Sequence, residues 1–173
     1  RAQVLLDREG KVLGPAMQFR DHRAEAEALE VARHLPADNP AEAITPFHPL
    51  ARLAWVARRQ PAVFAQLATV LEPKDFLNHR LTGLSAGDSV TYPRLDALEP
   101  LPRGLPAWLE RCLDLLRPRL HAPWERLGTA VRLDPPFDRL AGVPVFAGAM
   151  DSWATAVGSG AVRPGQAYDI AGT

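Results

Sequence analysis

The rhythm of apolar and polar positions changes several times along this chain, and each change predicts a new element. Val4 to Leu6 is a short apolar run, Glu9-Gly10 supplies turn residues, and Ala16 to Phe19 is a second run, predicting two strands around a turn. From Asp21 onward HRAEAEALEVARHL is rich in Ala, Glu and Leu and predicts a helix stopped near Pro36. A loop follows with Pro36, Pro40, Pro46 and Pro49. LARLAWVARRQ then sets Leu50, Leu53, Ala54 and Ala57 at helical spacing, with its arginines on the other, solvated side. Pro61 opens a short helix, PAVFAQLA, in the first turn, where its missing amide loses no partner. TVLE predicts a short strand, and Pro73 starts KDFLNHRLTG, a helix ended by Gly83. Residues 85–103 read as irregular, PAWLERCLDLL as a helix, and the stretch up to Pro136 as a Pro-rich connection.

The last segment changes character. AGVPVFAGA reads as a small-residue buried strand, DSWATAVGSG as a helix and QAYDIAGT as another strand. This β-α-β order predicts a second subdomain beginning near Arg139, so the expected division is 1–138 and 139–173. The chain starts at Arg1 and stops in what reads as a strand entering a turn, so both ends are expected to be cuts.

Composition narrows the function classes. Twenty basic and twenty acidic side chains cancel, which argues against the basic field that nucleic acid or an anionic membrane requires. No apolar run approaches the ~20 residues that span a bilayer. Cys112 is the single cysteine, so no intrachain disulfide can form and a reducing cytoplasm is expected. Within WLERCLDLL it reads as a small buried thiol. The five histidines are dispersed without metal-ligand spacing, and no zinc site is expected.

Two glycine patterns invite chemistry. Gly158, Gly160 and Gly165 do not space as a phosphate loop, and no Lys-Ser/Thr pair follows them. Gly83-Leu84-Ser85-Ala86-Gly87 matches the nucleophile elbow of the α/β-hydrolases, which needs a strand before the serine and a helix after it. Here the order is a helix and then a polar loop, so Ser85 is a weak nucleophile candidate.

Asp151 is the stronger candidate. In the run Gly142 to Asp151 a buried strand delivers it to the carboxyl end, at the start of a helix, where catalytic groups of α/β proteins gather. Gly148, Ala149 and Ala154 leave room for a ligand near the backbone. Two readings stand: a catalytic carboxylate, or an N-cap accepting from the first helical amides.

Taken in order, three segments resemble the FGGY family of carbohydrate kinases. LLDREGKVLGPAMQFRDHRA looks like the hairpin ending in that family's W-x-D-x-R motif, with Phe19 in place of tryptophan and Asp21 and Arg23 in position. In LARLAWVARRQPAVFAQLATVLEPKDFLNHRLTG, residues Trp55, Pro61, Phe64, Lys74, Asp75, Leu81, Thr82 and Gly83 fall on typical family positions. AGVPVFAGAMDSWATAVGSGAVRPGQAYDIAGT is similar to the family segment that ends in Gly-Thr. The resemblance implies an α/β, actin-like, ribonuclease-H-like ATPase fold, present here incompletely as the later part of the first lobe and the start of the second.

It also implies ATP-dependent phosphorylation of a sugar or polyol hydroxyl, with Mg2+ on the phosphates and Asp151 as general base. A xylulokinase-like substrate and a homodimer are compatible with it. By the same resemblance Arg1 and Phe19 fall on substrate-binding positions, and Gly172 and Thr173 on the turn that approaches the ATP phosphates. Asp21 with Arg23 reads as a structural ion pair or cap, Asp75 as a first-turn acid favouring its helix dipole, and Asp88 as a loop residue without a role. The alternatives are a non-catalytic FGGY relative and a serine hydrolase using Ser85.

Overall fold

The computed structural model describes residues 2–18, 20–35, 43–90 and 101–169. Strand β1 (Val4–Leu6) runs antiparallel to β2 (Thr69–Leu71), pairing Val4 with Leu71 and Leu6 with Thr69. The predicted second strand is reduced, among the described residues, to isolated bridges of Met17 with Gln3 and Val12 with Leu6. Gln3 and Met17 exchange backbone hydrogen bonds of 2.8 and 2.9 Å, and the Leu13 amide donates to the Leu5 carbonyl at 2.9 Å.

Alternation across the strand pair divides the core in two. Leu5 and Val70 join a large cluster with Ala28 and Val31 of helix α1 (Glu25–His34), Leu50, Leu53, Ala54 and Val56 of α2 (Pro49–Arg59), and Leu109, Cys112 and Leu113 from the Ala107–Leu115 helix. Val4, Leu6 and Leu71 face the other way, against Phe76. Helix α3 (Pro61–Gln66) buries none of its residues and links α2 to β2.

Helix α4 (Pro73–Thr82), which carries Phe76, is the hub of the second half. It packs on β2, on β3 (Ala86–Asp88), on β5 (Arg126–Thr129) and on β6 (Pro144–Phe146). With α5 (Ala107–Leu115) and β4 (Arg119–His121) placed, the described strands make three two-stranded sheets. In them β3 pairs parallel with β4, and β5 antiparallel with β6. Ala86, Leu127 and Ala147 form a small core between these sheets. A 3-10 turn (Phe137–Leu140) precedes β6, and α6 (Asp151–Gly158) follows it.

Several expectations are corrected. Helix α1 begins at Glu25, not Asp21, because Asp21 and Arg23 form their own local pair. The irregular stretch after Ser85 contains strand β3, and the Pro-rich connection contains β4 and β5. Strand β6 is only part-buried: Val145 is enclosed while Pro144 and Phe146 are exposed. The final predicted strand does not form over residues 166–169, and its remainder lies outside the described residues.

The arginines of α2 do not all face solvent. Arg52 is fully buried. Its guanidinium donates to the carbonyls of Gln18 and Phe47, each at 2.9 Å, and of Met17 at 3.3 Å. A planar fork of donors suits such a ring of carbonyls, which is why a charge is tolerated there.

Candidate active site

The chain leaves β6 at Phe146 and turns through Gly148, whose φ of 68° is a left-handed conformation open to glycine at little cost. Met150 is extended, and its carbonyl accepts the first helical bond, from Ala154 at 3.0 Å. Met150 therefore occupies the cap position, and Asp151 is the first residue inside α6. This corrects the reading of Asp151 as an N-cap. Its Oδ1 accepts only the neighbouring Ser152 amide, at 2.8 Å, and the residue is exposed. The carboxylate thus stands at the positive end of α6 with room for a ligand hydroxyl. The Tyr168 hydroxyl donates to the Ser152 carbonyl at 3.3 Å, bringing the following segment across the start of this helix.

Behind that turn lies a charged group which sequence reasoning treated as unrelated parts. Lys74, on the first turn of α4, pairs with Asp75 and, at 3.1 Å, with Asp88. Asp75 and Asp88 are 1% and 0% exposed. Asp88 ends strand β3 and is no loop residue, whereas Asp75 is a first-turn acid of α4 as expected, and is also buried. The Lys74 ammonium also donates to the Ala147 carbonyl at 3.2 Å, and the Asn78 amide donates to the same carbonyl at 3.0 Å. The signal was present in the Pro73-Lys74-Asp75 run. Its partners, Asp88 and Ala147, are too distant in sequence to be read from it.

The remaining candidates are dispersed. Arg1, Phe19, Gly172 and Thr173 lie outside the described residues. Asp21 accepts both oxygens' worth of bonds from the Arg23 guanidinium, with Nε at 2.9 and 3.1 Å, as the ion-pair reading expects. That hydrogen-bonded guanidinium holds the Asp21 carboxyl below its usual range. Arg23 also lies over the Trp55 ring at 4.2 Å. Ser85 Oγ is 3.3 Å from His79 Nδ1, but α4 precedes it and β3 follows, the reverse of a nucleophile elbow. Among the described residues no group of three or more His, Cys, Asp and Glu could hold a metal ion. No described helix is long and apolar enough to cross a membrane.

Comparison with known proteins decides the family. The profile of the FGGY family of carbohydrate kinases, N-terminal domain, matches residues 1–92, more than half of the chain. The chain belongs to this family. It is 32% identical over 175 residues to the xylulose kinase of Escherichia coli (strain K12), covering 98% of this chain and 36% of that enzyme. It is 32% identical over 125 residues to the rhamnulokinase of Mannheimia succiniciproducens, covering 70% of this chain and 25% of that one. The crystal structure of xylulose kinase from Rhodospirillum rubrum superposes with a TM-score of 0.73 at 32% identity, covering 95% of this chain and 36% of that one. The FGGY chain thus spans about a third of the length of the xylulose kinases and matches a quarter of the rhamnulokinase, and its residues form part of an actin-like fold. Neither the membership nor the geometry at Ser85 supports the hydrolase reading.

Proposed function

We propose that this FGGY chain carries the proton-accepting residue of an ATP-dependent sugar kinase with a xylulose-like ketose as substrate, Asp151 being the general base. The observation that carries this reading is the placement of Asp151. It is an exposed carboxylate at the first residue of α6, just past the carboxyl end of β6. A sugar hydroxyl attacks phosphorus poorly until its proton can leave, and a carboxylate within hydrogen-bond reach accepts that proton. Helix α6 points its positive N-terminal end toward this carboxylate.

ATP supplies the transferable phosphoryl group, and Mg2+ bound to it neutralises charge on the phosphates. In this reading Arg1 and Phe19 contribute to the sugar pocket, and Gly172 and Thr173 approach the phosphates. Residues 1–138 belong to the first lobe, and residues 139–173 lead into the ATP lobe. The family relationship and the lone buried Cys112 favour a cytoplasmic setting.

The test is Asp151→Asn in the intact enzyme, followed by sugar-dependent ADP release. Asparagine preserves size but cannot take the hydroxyl proton, so kcat should fall by ~10²–10⁴ while sugar and ATP affinities stay within several-fold. Ser85→Ala, the matched control, should turn over like the parent. An Asp151→Asn enzyme retaining more than about a tenth of parental kcat would remove Asp151 from the role of base.

A further inference from the structure

The antiparallel ladder that holds β6 ends at the Arg126–Phe146 pair. Ala147, the next residue, still donates its amide to the Glu125 carbonyl at 3.0 Å, and Gly148 donates to Pro123 at 2.8 Å. Among the described residues no strand pairs with the Ala147 carbonyl. Two side chains of α4 meet it there: Lys74 Nζ at 3.2 Å and Asn78 Nδ2 at 3.0 Å. Asn78 also reaches the Phe146 carbonyl at 3.3 Å. The chain turns at Gly148 immediately afterwards and enters α6 at Asp151.

Asp75 and Asp88 are buried carboxylates, costly to enclose unless a cation pairs with them, and the part-exposed Lys74 supplies it. Here Asp75 and Asp88 flank Lys74, and Asp88 brings in the end of strand β3. The lysine is thereby fixed by two elements, α4 and β3, and transmits their position to a third. Gly148 packs beside the lysine stem, a Cβ there lying at contact distance, 3.7 Å from Lys74 Cδ, and its φ of 68° is what favours glycine.

We infer that Lys74 and Asn78 are positioning residues for the reaction, clamping the Ala147 carbonyl so that the Gly148 turn delivers Asp151 to the sugar hydroxyl. This rests on the reading of Asp151 as the base. Displacing a catalytic group by about 1 Å can cost ~10²-fold in rate, which is the scale of effect a lost clamp would produce. A merely structural Lys74–Asp88 link would instead affect stability alone.

The experiment is a double-mutant cycle in the intact enzyme, read as kcat with sugar and ATP affinities measured separately. Lys74→Met and Asn78→Ala are each made alone and together with Asp151→Asn. Alone, each should lower kcat by ~10-fold or more, with both affinities within about three-fold. In the Asp151→Asn background each should cost less than about two-fold, because the group being positioned is already gone. If Lys74→Met fails to fold, having stranded two carboxylates, Lys74→Met/Asp88→Asn and Asn78→Ala carry the test. Parental kcat in the single variants overturns the inference, as does an equal loss in both backgrounds. An Asp151→Asn enzyme with parental kcat removes the base assignment itself, a separate failure.

Discussion

A thiol reacts only as its thiolate, and Cys112 is placed to avoid becoming one. It is 0% exposed on the inner face of α5, and burial pushes its pKa from 9.0 up to about 12, with only a small opposing pull from Arg111. In the unfolded chain the thiol ionises first, so the folded state holds the proton longer. The stability this contributes is complete below pH 9 and fades as pH rises toward 12. We predict that a thiol-specific disulfide reagent at pH 8 labels the native protein far more slowly than the protein in denaturant. Equal rates in the two states would mean that α5 does not shield this residue. The buried setting of Cys112 is legible in WLERCLDLL, where the apolar positions recur at helical spacing. Arg52 is illegible by the same logic, because periodicity marks apolar side chains and cannot see three backbone carbonyls converging on a guanidinium. Lys74 is partly legible: its neighbour Asp75 is adjacent, but Asp88 and Ala147 reach it only through the tertiary fold.

Elements are legible in the sequence where an apolar pattern or a start or stop residue marks them. Helices α2, α4 and α5 are 11, 10 and 9 residues long, enough for two or three turns of apolar repeat, and each lies where the pattern predicts. Strands β3 (Ala-Gly-Asp) and β4 (Arg-Leu-His) are as short as β1 and β2 but lack their apolar run, so nothing local distinguishes them from loop. Their parallel pairing, Ala86 with Arg119, joins residues far apart in the chain. Stop signals fare better than starts. Gly83 ends α4 with φ 77° and donates its amide to the His79 carbonyl at 2.7 Å. Nothing lies within 4 Å of a Cβ built there, so Gly83→Ala tests backbone strain without a steric clash. The left-handed conformation should cost the alanine variant about 1 kcal/mol, seen as a lower Tm with unchanged sugar affinity. An unchanged Tm would show that the α4 end relaxes to another conformation. Because α4 supports β6, a larger kcat loss than the stability loss explains would point to disturbance of the Lys74 and Asn78 contacts.

At the scale of the whole molecule, the division of labour implied by the fold bears on which sugar is used. Residues along most of this chain match both kinds of relative at 32% identity, but the xylulose kinase match covers 98% of the chain and the rhamnulokinase match 70%. The longer match includes nearly every element that positions Asp151, from the β1 hairpin to α6. Xylulose and rhamnulose are both ketoses, yet rhamnulose has a sixth carbon, a methyl group, and the two differ in hydroxyl configuration. A pocket that hydrogen-bonds hydroxyls leaves its own polar groups unpaired when one hydroxyl is misplaced, at about 1–3 kcal/mol for each such group. One such mismatch at the transition state is worth roughly 10- to 100-fold in kcat/KM. We therefore predict that the intact enzyme phosphorylates xylulose with a kcat/KM at least about tenfold above that for rhamnulose. ADP release measured with each ketose at saturating ATP and Mg2+ decides between them. A preference for rhamnulose would place the specificity determinants outside the shared match. Equal turnover of both would mean that the pocket holds the common hydroxyls and leaves the distinguishing carbon in solvent.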